Sequence, residues 1–80
     1  MHHKTLESIK NQIKNMGFYV INSRNKALLQ VSAEHGDDAA DYYGEFRGEY
    51  PWINPKLEDL ARKYNLIWEW EHPGAIGLYE

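Results

Sequence analysis

His35, Asp37, Asp38 and Asp41 form the densest set of nitrogen and oxygen ligands in this 80-residue chain. Asp38 and Asp41 are three apart, a spacing that brings two carboxylates onto one face of a helical turn. One imidazole beside several carboxylates suits a hard or intermediate cation, and paired carboxylates can do acid–base work. The run lacks the HExxH spacing of a zinc-protease helix, and it lacks the glycine-centred calcium loop of an EF-hand. Acids that cap a solvated turn account for the same residues, so neither a metal nor a cofactor is expected. A metal-dependent or acid–base enzyme built on His35 and the Asp37/Asp38/Asp41 cluster stands as the alternative to the reading developed below.

Other catalytic chemistry finds little footing. Ser8, Ser23 and Ser32 have no G-x-S-x-G context and no obvious histidine partner. Gly44 and Gly48 enclose Glu45, Phe46 and Arg47, with no lysine following, so a phosphate-cradling loop is not expected. Cysteine is absent, which removes disulfides, thiol nucleophiles and cysteine-ligated zinc together.

A second constellation is made for contact, not catalysis. Of the eleven residues from Tyr42 to Trp52, five are aromatic (Tyr42, Tyr43, Phe46, Tyr50 and Trp52), and Arg47 sits among them. Tyrosine, tryptophan and arginine dominate binding hot spots because each joins a large contact area to a polar handle. Glycines beside them allow a partner to approach the backbone closely. The expected binding residues are Asp37, Asp38, Asp41, Tyr43, Glu45, Phe46, Arg47, Glu49 and Trp52. The competing reading is that these aromatics fold back to roof a small core.

Charge supports a protein partner over a nucleic acid. The formal net charge is −3, but it is spread unevenly. Residues 1–33 sum to +4 and residues 34–49 to −5, so the aromatic run lies in the most acidic stretch. An acidic surround opposes a phosphate backbone, even though exposed aromatics can stack on bases. An acidic surface would instead occupy a basic one. No apolar run approaches the ~20 residues that span a bilayer. Lys4, Glu7, Lys10 and Lys14 interrupt the first sixteen residues, so no secretory leader is expected there and the cytoplasm is the expected compartment.

These residues need a frame, and the sequence supplies one. Leu6, Ile9, Ile13 and Met16 recur at helical spacing, predicting a helix from Thr5 to Met16, capped by Thr5 and closed by Gly17. Residues 1–4 are expected to fray. Phe18–Ile21 and Ala27–Val31 read as a β-hairpin, with Asn25 the turn residue suited to a positive φ. Asp37 or Asp38 is expected to cap a short helix through Ala39, Ala40 and Tyr43, with the rest of residues 34–50 irregular.

Asn54-Pro55 is a strong helix start, and Leu57, Leu60, Ala61 and Tyr64 make the apolar stripe behind it. Glu58–Arg62 and Asp59–Lys63 are spaced for i,i+4 ion pairs, and Asn65 closes the helix. Leu66, Trp68 and Trp70 alternate with Ile67, Glu69 and Glu71, the period of a half-buried strand with both indoles inward. His72-Pro73-Gly74 is a turn, and Ala75–Tyr79 returns as the last strand.

Residues 18–32 and 66–80 are therefore two hairpins of equal length, each following a helix and a helix-closing residue. The expected fold is a single α+β domain over residues 1–80, with the order αββ, acidic connection or short helix, αββ. About four antiparallel strands would carry two helices on one face. The uncharged last strand is the expected free edge, through which a homodimer could form.

Overall fold

The structure, a computed structural model, describes residues 1–21, 26–34, 38–42 and 51–80. Helix α1 spans His3–Asn15 and buries Ile9 and Ile13, as the apolar stripe requires. It begins two residues before Thr5, because His2 takes the capping role: its Nδ1 accepts from the Lys4 N–H at 3.1 Å. At its head the Met1 ammonium meets the Glu80 carboxylate at 2.9 Å.

Helix α2 spans Pro55–Lys63 and buries Leu57, Leu60 and Ala61. Asn54 is its cap, with Oδ1 accepting from the Lys56 N–H at 2.9 Å. The expected i,i+4 pairs on this helix give way to a shorter reach, in which Arg62 pairs with Asp59 at 2.8 Å. Both charges are exposed, so the pair contributes little stability.

Both helices stop in the same way. Gly17 lies at φ +92° and Asn65 at φ +60°, the left-handed region that glycine and asparagine tolerate best. Gly17 N–H donates to Lys14 O and Phe18 N–H to Ile13 O. Asn65 N–H donates to Arg62 O and Leu66 N–H to Ala61 O, the same two bonds one helix later. Each pair satisfies carbonyls that the helix end would otherwise orphan.

The strands are β1 (Val20–Ile21), β2 (Leu29–Ser32), β3 (Ala40–Asp41), β4 (Trp52–Ile53), β5 (Ile67–His72) and β6 (Ala75–Tyr79). Four form one antiparallel sheet in the order β1-β2-β6-β5, and β3 pairs with β4 as a separate two-stranded ribbon. The hairpins thus abut through their second strands, with Leu29 opposite Leu78 and Val31 opposite Ile76. The αββ repeat is real in architecture. The C-terminal strand, however, is not an edge. β6 is paired on both sides, by β2 and β5, so its backbone groups are committed and a dimer cannot add there. Within the described residues the sheet ends at β1 and β5.

Cross-strand rows define the core. Trp68, Leu78 and Leu29 form one row, and Trp70, Ile76, Val31 and Val20 the next. Both helices pack on this face, since Ile9 and Ile13 share one apolar cluster with Leu57, Leu60 and Ala61. The Trp68 indole N–H also donates to Leu57 O at 2.8 Å, fixing β5 to α2. Across the helices, the Gln12 amide donates to the Tyr64 hydroxyl at 3.1 Å, and within α1 it donates to Ser8 Oγ at 3.2 Å. The Gln12 bond holds the Tyr64 phenol below its ordinary pKa. No helix among the described residues is long and apolar enough to cross a membrane.

A register shift between Trp70 and His72 bulges β5 just before the Pro73–Gly74 turn. The turn is closed by a Gly74 N–H donating to His72 Nδ1 at 3.0 Å. On the helix-free face, the Tyr79 hydroxyl donates to the Glu71 carboxylate. That carboxylate occupies the space where a side chain at position 77 would begin, so Gly77 is what lets the pair form. The Glu71 bond, helped by desolvation and the neighbouring negative charge, pushes the Tyr79 pKa up to about 12.

Candidate functional site

The acidic and aromatic connection leaves the first αββ unit after Ala33 and reaches the second at Asn54. Its described parts build a short platform. Ala40 pairs with Ile53 and Asp41 with Trp52, antiparallel. Asn54 extends the ladder, its N–H donating to Ala39 O at 2.8 Å. The same residue's Nδ2 donates to Asp38 O at 2.8 Å. Asn54 therefore caps α2 with its side-chain oxygen and ties down residues 38–39 with its two nitrogens.

The short helix expected from Asp37 or Asp38 does not form over the described residues. Asp38 and Ala39 turn, and Ala40–Asp41 is extended. Acid capping favours a helical turn only locally; pairing with Trp52–Ile53, together with burial of Ala39 and Ala40, overrides it. Residues 34–50 were expected to be irregular outside that helix; within them Ala40–Asp41 forms a strand, paired with Trp52–Ile53 just beyond.

This geometry separates the two aspartates. Asp38 is exposed and Asp41 is only 8% exposed, and both have an interaction partner. A carboxylate that far from water must be engaged, because burying an unpaired charge is costly. The pair therefore does not lie on one helical face, as an i,i+3 carboxylate site would need. His35 and Asp37, the other members of that cluster, lie outside the described residues. Among the described residues, no group of three or more histidine, aspartate or glutamate side chains could hold a metal ion.

The aromatic members divide similarly. Trp52 is half-buried in the ribbon. Tyr42 meets Trp70 edge to face, with ring centroids 5.2 Å apart and planes at 77°. Such a contact adds about 0.5–1.5 kcal/mol beyond the area it buries. Tyr42 thus roofs the core, while Tyr43, Glu45, Phe46, Arg47 and Glu49 lie outside the described residues. Of the nine expected binding residues, the structure places Asp38, Asp41 and Trp52, and it brings Asp41 and Trp52 directly opposite one another.

The role of Asn54 as a tie to residues 38–39 had no signal in the sequence. Its capping position is local and readable, whereas its partners lie some sixteen residues upstream. Comparison of the chain with protein-family models, with curated proteins and with solved structures found no match.

Proposed function

We propose that the protein is a non-enzymatic interaction module that occupies a basic surface of a protein partner through its acidic and aromatic segment, residues 37–52. The observation that carries this reading is the β3–β4 ribbon. Asp41 opposite Trp52, the Asn54 tie and the Tyr42–Trp70 contact fix the described residues on either side of positions 43–50 in the sequence. Within that span lie Tyr43, Phe46 and Arg47, the residue types that carry binding energy. A binding segment whose flanking residues are fixed loses less conformational freedom on association than one on a free tail.

In this reading Tyr43, Phe46 and Arg47 form the centre of the contact, and Asp37, Asp38, Glu45 and Glu49 form its charged rim. Rim charges govern the association rate and its salt dependence, whereas central residues govern dissociation. The test is affinity capture from the native host with the parent chain, followed by binding and melting curves for Arg47→Ala on the captured partner. Binding weakened by at least about 2 kcal/mol with an unchanged melting temperature is the expected result. Unchanged binding, or a collapsed melting temperature, overturns the assignment. Joint Asp37→Asn and Asp38→Asn replacement should slow association at low salt and matter little at high salt.

A further inference from the structure

We draw no further inference here: the strongest candidate, the helix-free face of the four-stranded sheet, where Tyr19 (69% exposed) and Ile67 (54% exposed) stand at opposite edges with Gly77 between them, carries nothing because nothing in the structure shows what covers it.

Discussion

The two αββ units share a plan but differ in how firmly each is built. Both close their helix with a left-handed residue and the same two backbone bonds, at Gly17 and at Asn65. Both then turn into a hairpin. In the first, β1 covers Val20–Ile21 among the described residues and carries the exposed side chain of Ile21. In the second, β5 and β6 run six and five residues, joined by a tight turn that His72 closes. The second unit also owns the better helix start, an Asn54 cap followed by Pro55, against the exposed His2 at the head of α1. The second unit also carries both tryptophans that pack against the core from the main sheet, Trp68 and Trp70.

This asymmetry predicts unequal losses. Trp68→Ala removes a large, half-buried side chain packed against the core and its bond to Leu57, and should cost about 3 kcal/mol, enough to threaten a domain of this size. Val20→Ala, on the corresponding strand of the first unit, should cost no more than about 2 kcal/mol. Denaturant melts of both variants decide this. Equal losses would mean that the two units contribute alike.

The helix starts give the next comparison. Asn54→Ala removes both a cap and the tie to Asp38 and should cost about 2 kcal/mol, the upper end of capping losses. His2→Ala should cost only a few tenths of a kcal/mol, because the site is exposed. Asn54→Asp separates the two roles, since it keeps the acceptor for Lys56 and loses the donor to Asp38. At the helix ends, Gly17→Ala should cost about 1 kcal/mol, because no contact is in the way and only the left-handed backbone resists it. Asn65→Gly should be neutral or slightly stabilising in the same thermal melts, as the stop needs only the backbone conformation.

The smallest effect is confined to alkaline pH. Tyr79 ionises near 10.0 in a free chain and near about 12 in the fold, so the folded state holds its proton more tightly. The stability this bond contributes is fully present below pH ~10 and is lost as the pH rises towards ~12. Alkaline absorbance titration of the parent against Tyr79→Phe isolates this phenol. Gly77→Ala should return it towards the ordinary value, because the new methyl group must displace the Glu71 carboxylate. A Tyr79 phenol that stayed high in Gly77→Ala would detach the shift from Glu71.

What the sequence exposed, and what it hid, follow from the range of the forces involved. The helix stripes, the Asn54-Pro55 start, the closures at Gly17 and Asn65 and the inward facing of Trp68 and Trp70 are all set within a few residues. Each was readable. The position of β6 inside the sheet was not, because its uncharged sequence suits a free edge and a buried centre equally well. Pairing with β2, more than forty residues away in the chain, decides between them. The same is true of Ala40–Asp41, where local acids suggested a helical turn and a distant Trp52–Ile53 made a strand. At the candidate site the sequence shows residue types suited to a binding hot spot, but the anchoring by Asn54 and by Tyr42 on Trp70 depends on contacts that no local pattern encodes.

The central proposal is that residues 43–50 serve contact with a partner, while the β3–β4 ribbon serves the fold. Replacing residues 43–50 by a flexible glycine–serine linker of equal length, with Tyr42 and Pro51–Asn54 kept, tests both halves in one thermal melt followed by one binding curve. The account predicts a cooperative transition within a few degrees of the parent and complete loss of partner binding. A melting temperature lowered as far as that of Trp68→Ala would contradict it, because the segment would then be part of the core.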